Sequence, residues 1–228
     1  LRQKLIDTAV ELMSEEGFKS VSMRRIAKAA EVGDATIYNY FPNKEAILYA
    51  YFQLKLEQSI SGVASVPGFE QFTLHEKLQE LLEQHLGLLL EHRGFASEAF
   101  ELAFLTPLAK FGAIAPIKAD LARTFSVYLE QEYESGRLER QPFSEMLPAL
   151  FWDYYLSVVV YWLKDDSEDF VRTTQMIDLS LSLAISVLES GVIAKVRDLV
   201  SFLFRHHMFN GLEYLDKAMS SYRTIKSL

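Results

Sequence analysis

The side chains best suited to chemistry cluster near the start of the chain. Thr36, Tyr38, Asn39 and Lys44 fall in one short stretch, with Arg24 and Arg25 a little before them. Hydroxyls, a carboxamide and cations at this density match the groups that touch phosphate oxygens and base edges. Ile37 and Phe41 stand four residues apart and can share a buried helix face, which turns Tyr38, Asn39 and the Thr36 hydroxyl outward. Asn39 carries the two-pronged amide that pairs with adenine, and Lys44, at the positive end of the helix it opens, would hold a phosphate. Arg24 and Arg25 are phosphate or groove-edge candidates. Asp34 either caps a helix or accepts from a cytosine amine. Taken singly, these residues equally fit a solvated charged face with half-buried aromatics.

The elements that must position them are short helices. Leu5, Ile6, Ala9, Val10, Leu12 and Met13 recur at three- and four-residue steps, with Gly17 placed for a left-handed cap. Residues 22–30 form a second helix, capped by Ser20 or Ser22, that buries Ile26, Ala27 and Ala30. Glu31, Val32 and Gly33 break it, and residues 35–40 make under two turns before Phe41 and Pro42. Two short helices joined by a tight turn have the shape of a helix-turn-helix, whose second helix offers side chains to the major groove. By spacing alone any short helical hairpin imitates it. Asn43 caps a long fourth helix over residues 44–61, with Ala46, Ile47, Ala50, Tyr51 and Leu54 inward.

Residue identity sharpens this reading. The run Ile26, Ala27, Ala30, Val32, Thr36, Ile37, Tyr38, Asn39, Tyr40, Phe41, Lys44, Glu45 and Ile47 resembles the TetR family of bacterial transcriptional regulators, over roughly residues 1–50. It departs at Glu31 and Gly33, where that family usually has Gly and Ser or Thr. The resemblance implies that Thr36, Tyr38, Asn39 and Tyr40 face DNA, with the two tyrosines on phosphates. It implies an all-α fold: a helix-turn-helix head over residues 1–50, and a helical ligand-binding and dimerisation body over residues 51–228. It further implies a repressor released from a double-stranded operator by a small effector.

One head spans about half an operator, so a homodimer is expected, with heads roughly 34–36 Å apart or a multiple of that distance. The helices over residues 147–163 and 170–188 are the best pair for the seam. The stripe Ile177, Leu181, Ala184, Ile185 and Leu188 serves either that seam or the internal core. Phe100, Phe104, Phe125, Tyr128, Trp152 and Tyr155 are candidates for an apolar or aromatic effector pocket among the middle helices, or plain core. Glu98, Glu101 and Asp153 nearby leave room for a cation. The fourth helix, shared by head and body, is the natural lever between ligand and DNA.

Composition sets the frame. Half of the 228 residues are apolar and none is cysteine, which excludes disulfides and thiolate sites and fits a reducing cytoplasm. The net charge of −8 argues against nucleic acid until its distribution is read. Residues 1–60 hold eight Lys and Arg against eight Asp and Glu, so all the excess acidity lies in the body. The longest uncharged apolar runs, 154–163 and 179–188, are about half the roughly 20 residues that a membrane span needs, and no signal peptide is evident. The chain starts at Leu1 without an initiator Met, which suggests residues before it.

Beyond residues 62–68, of linker composition, Thr73 and Glu76 form a capping box for a helix to His92, stopped at Gly94. Further helices are expected at 97–106, 116–135, 144–163, 167–190 and from 193 to the end, with a break at Gly211. His85 and His92 lie too far apart to chelate one metal and read as solvated or capping, as do His206 and His207. The acidic run 165–169 reads as capping. No glycine-rich phosphate loop, nucleophile elbow or paired metal-ligand motif occurs, so neither catalysis nor a cofactor is expected. The alternative is a helical ligand carrier or protein-interaction module with a vestigial helix-turn-helix, which would show no salt-dependent DNA binding.

Overall fold

Apolar residues spaced at helical period fold α1 (Arg2–Glu16) with Leu5, Ile6, Ala9, Val10 and Met13 inward. The computed structural model describes residues 1–105, 111–141 and 143–192, with 195, 196, 198, 199 and 202, and every regular element among them is helical. Gly17 ends α1 at φ 82° and ψ 150°, a glycine conformation but not the expected left-handed cap. Ser22, not Ser20, caps α2 (Met23–Ala29), its hydroxyl accepting from the Arg25 amide. Ile26, Ala27 and Ala30 are completely buried.

Across Glu31, Val32 and Gly33 the chain enters α3 (Asp34–Tyr40). Gly33 is the residue before the helix and Asp34 its first, so the Asp34 carboxylate makes no cap. It meets the Arg24 Nε at 3.0 Å instead. Glu31 adopts φ 57°, where a β-carbon crowds the backbone, at the position usually held by glycine in the sequence pattern above.

Asn43 caps α4 (Lys44–Val63), its side-chain oxygen accepting from the Ala46 amide at 2.9 Å. Every side chain from Ile47 to Phe52 is buried, a wrap no single-faced helix shows. The head's α1 packs on one side of α4 and the body on the others. Gly62 remains helical, and the end of the Gln84 side chain on α5 (Leu74–Leu90) lies against it in the space a β-carbon would occupy. The capping box opens α5, with Thr73 bonded reciprocally to Glu76, and those bonds hold the Glu76 carboxyl below its usual range.

The expected stop at Gly94 is corrected: α5 ends at Leu90 and Gly94 lies inside α6 (Arg93–Phe100), which continues as a π turn, Glu101–Leu105. Thr106 and Pro107, read as that segment's end, lie outside the described residues. α7 (Phe111–Glu134) starts earlier than expected and contains Pro116. α8 (Leu147–Lys164) follows a short 3-10 turn, and the two together, Ser144–Lys164, are long and apolar enough to cross a membrane by length and composition. Uncharged runs alone miss this because Asp153 interrupts them. In the fold α8 packs mainly on α7 and buries Phe151, Trp152, Tyr155, Val158, Val159 and Trp162.

Within the acidic run, Asp165 takes the capping role. Asp165 accepts from the amide and hydroxyl of both Ser167 and Thr173, at 2.6–2.9 Å, stapling the end of α8 to α9 (Val171–Glu189). Burial opposes its charge, but these four bonds outweigh that and hold the carboxyl well below the usual range. On α9, Ile177, Leu181 and Leu188 are buried against the rest of the molecule, so the core reading of that stripe holds for them. Leu179, Leu183 and Val187 face out at 69%, 68% and 40% exposure. The helix expected from residue 193 falls largely outside the described residues, as do His206, His207 and Gly211.

Relieving the left-handed strain at Glu31 has a measurable consequence. Glu31→Gly is expected to raise unfolding free energy by about 1 kcal/mol or less, the strain relief being partly offset by glycine's greater unfolded-state entropy. Denaturant melts of the two proteins check this.

Candidate nucleic-acid interface and effector cleft

The head gains its shape from one buried side chain on its shortest exposed helix. Ile37 is 0% exposed and Phe41 3%, which anchors α3 against α1 and α2. The rest of α3 faces outward: Tyr38 is 52% and Tyr40 43% exposed, Asn39 is exposed and Thr36 is half-buried. Arg24, on the adjoining end of α2, is also exposed while paired with Asp34 across the turn.

Two of the expected contact residues are engaged within the protein. Arg25 forms a bifurcated pair with Glu16, at 2.8 and 3.3 Å. Lys44 donates to the Phe18 carbonyl at 2.6 Å and the Lys19 carbonyl at 3.4 Å, with its ammonium 4.5 Å from the Phe18 ring centre. It thereby locks the α1–α2 turn onto the start of α4. Spacing gave no signal of this latch, because the partners lie 26 and 25 residues away.

In the body, four of the six aromatics named as pocket candidates meet. Phe100 and Phe104 lie 4.8 Å apart, Phe104 and Trp152 6.2 Å, and Trp152 and Tyr155 5.6 Å. Tyr49 and Phe52 of α4 pack edge-on against the same group. This cluster joins α4 to α6, the π turn and α8, beside its larger contacts with α5 and α7. Tyr128 packs elsewhere, on Phe69, and Phe125 stacks on Phe151. Phe125 and Phe151 help line an apolar cleft of about 370 Å³ between α5, α7, α8 and α9, with Leu74, Leu78, Tyr154, Leu181 and Ile185. Tyr154 and Ser180, mutually bonded at 2.8 Å, supply its polar groups. That volume lies within the range of small-molecule sites.

His85 contradicts its solvated or capping reading. It is 1% exposed and joins three helices: Nδ1 lies 3.0 Å from the Ser59 hydroxyl on α4, and Nε2 2.9 Å from the Tyr155 hydroxyl on α8. Ser59 already donates to the Lys55 carbonyl at 2.6 Å, so Nδ1 carries the proton and Tyr155 donates to Nε2. Burial, with help from the Lys55 charge, lowers the imidazole to about 4. His92 precedes α6 and, like the other histidines described, joins no metal-binding group among the described residues.

Comparison with known proteins follows these two regions. Residues 5–53 match the family "Bacterial regulatory proteins, tetR family". Residues 77–203, more than half of the chain, match "Tetracyclin repressor-like, C-terminal domain". The fatty acid metabolism regulator protein of Bacillus subtilis is 41% identical over 86 residues, 38% of this chain and 44% of that protein, so the chain spans under half the length of this relative. Two crystal structures resemble the whole fold. Thermus thermophilus FadR, a TetR-family transcriptional repressor in complex with lauroyl-CoA, is 25% identical with a TM-score of 0.62, covering 79% of this chain and 93% of that one. FadR from Bacillus subtilis in complex with stearoyl-CoA is 26% identical with a TM-score of 0.59, covering 79% and 97%.

The buried imidazole predicts a pH dependence. In the unfolded chain His85 takes up a proton near pH 6.5, whereas the folded chain resists until about pH 4. Its contribution is therefore complete above pH 6.5 and declines through that interval, by about 3 kcal/mol at its lower end. Chemical denaturation from pH 7 to pH 4 should show this slope, and His85→Gln should flatten it.

Proposed function

The chain belongs to the TetR family of bacterial transcriptional regulators, a family without enzymatic activity, and from that premise we propose that it is a homodimeric repressor whose grip on its operator is released by a long-chain acyl thioester. The observation that carries the DNA half is the contrast within α3, where Ile37 is completely buried while Tyr38, Asn39 and Tyr40 stand exposed. Asn39 reads a base edge, and Tyr38, Tyr40, the Thr36 hydroxyl and Arg24 hold phosphates or the groove edge. Arg25 and Lys44 serve chiefly by fixing the head's geometry, with spare donors for a phosphate. Residues 1–50 form the DNA-binding unit and residues 51–228 the sensing and dimerising unit, α4 belonging to both.

Support for the dimer comes from the outer faces of α8 and α9. Leu150 of α8 is 57% exposed and Leu179, Leu183 and Val187 of α9 are uncovered, Leu150 and Val187 also rimming the apolar cleft. A paired seam of these two helices would cover them. Support for the effector class comes from the cleft's almost wholly apolar lining and from the acyl-CoA ligands of the two FadR proteins. The acyl chain lies against the stacked Phe125 and Phe151 rings and Leu181, and its transfer from water contributes about 0.8 kcal/mol per methylene. Occupancy pushes α5 and α8 apart, and the Ser59–His85–Tyr155 chain carries the shift to α4.

Fluorescence anisotropy with labelled DNA from upstream of the gene tests the proposal. Binding should weaken steeply with salt, and Asn39→Ala should cost about 1–3 kcal/mol at one base position while sparing non-specific affinity. Salt-insensitive, sequence-blind binding would refute the DNA half. Adding acyl-CoAs of increasing chain length should release the operator, each methylene tightening ligand binding about fourfold until the cleft is filled. Equal effects from coenzyme A alone and from palmitoyl-CoA would refute the effector half.

A further inference from the structure

A second cleft, of about 310 Å³, lies where the head meets the body, and its lining is the opposite of the first in character. Asp7 and Glu11, one turn apart on α1, form one wall; Glu91 and His92, in the turn between α5 and α6, form the other; Lys55 and Tyr51 of α4 are the floor. Three carboxylates face one ammonium. Lys55, 15% exposed and 3.9 Å from Glu91, offsets one of these charges and leaves the cleft with a formal excess of two negative charges.

The floor contains an anomaly. Tyr51 is 2% exposed, its ring held edge-on by Phe52 and Phe95, yet its hydroxyl is buried without a hydrogen-bond partner among the described residues. Buried hydroxyls are nearly always satisfied, and leaving one unmet costs about 1–3 kcal/mol. Burial and the nearby Glu91 carboxylate keep the phenol protonated, so the hydroxyl has both an O–H to donate and lone pairs to accept with. The cleft therefore offers carboxylates on two walls and an unmet oxygen below, which together call for a ligand rich in N–H donors. No three of its acidic groups and imidazole are close enough to share one metal ion. A longer molecule with separated charges fits the spacing better.

We propose that this cleft is a second ligand site, taking a small organic polycation of the di- or polyamine class. One ammonium sits between Asp7 and Glu11, another lies by Glu91, and an N–H meets the Tyr51 oxygen. The ligand would bridge α1 to the α5–α6 corner and draw the head onto the body, biasing operator affinity independently of the acyl cleft.

Isothermal titration calorimetry of the whole chain with spermidine and putrescine, at constant ionic strength, tests this. Saturable binding of one molecule per chain is expected. Glu11→Gln with Glu91→Gln, both exposed, should weaken it about tenfold, while an unchanged melting temperature of the free double variant shows that losing the Glu91–Lys55 pair leaves the fold intact. Tyr51→Phe should weaken binding while leaving the melting temperature of the free protein unchanged or higher, a combination that a packing defect would not produce. Undiminished binding by the double variant would overturn the proposal, as would magnesium chloride binding with equal stoichiometry and affinity or sodium chloride reproducing the effect. Operator and acyl-CoA binding are separate measurements, so failure here leaves the primary function untouched.

Discussion

Everything in this molecule depends on α4 having no free face over the stretch from Ile47 to Phe52. A helix buried all round cannot tilt without disturbing something on every side. Below, it carries the start of the head, locked by Lys44 to the Phe18 carbonyl. Above, Tyr49 and Phe52 are embedded among Phe100, Phe104 and Trp152, and Ser59 is bonded to His85. Packed interiors switch between discrete arrangements more readily than they deform. Under the proposed release mechanism, a displacement in the body reaches α3 as a rigid movement of the whole head.

What could be read in the sequence was local. Ser22, Asn43 and the Thr73–Glu76 box act within three residues of themselves, and each does what its spacing suggests. The exposed face of α3 follows from the step between Ile37 and Phe41. Features that depend on distant partners were hidden. His85 reads from its neighbours as solvated or capping, because its partners, Ser59 and Tyr155, are 26 and 70 residues away. Gly62 looks like linker composition and is in fact a contact point with Gln84. Gly94 looks like a stop, but the chain had already turned at Glu91 and His92. The α9 stripe shows how a helix with apolar residues on two faces defeats a single-stripe reading, since one face fills the core and the other is left uncovered.

The body is divided between closed and open apolar regions. The aromatic cluster beneath α4 is packed ring against ring, while the cleft between α5, α7, α8 and α9 is walled mainly by aliphatic side chains. Aromatic content alone pointed toward the first, but rings large enough to fill a space also close it. The stapling of α8 to α9 by Asp165, with Arg93 donating to the carbonyls of Trp162, Leu163 and Asp165, fixes the corner at the opposite end of these two helices from that cleft.

The chain contains two tryptophans, and the fold sets them at different seams. Trp152 lies in the aromatic cluster under the lever helix, whereas Trp162 is sandwiched near the Arg93 guanidinium, 5.2 Å from its ring centre, where α6 meets the α8–α9 corner. With each replaced in turn by phenylalanine, the remaining indole becomes an intrinsic optical reporter. One would sense motion transmitted toward the head, the other loosening of the rigid corner, without any attached dye.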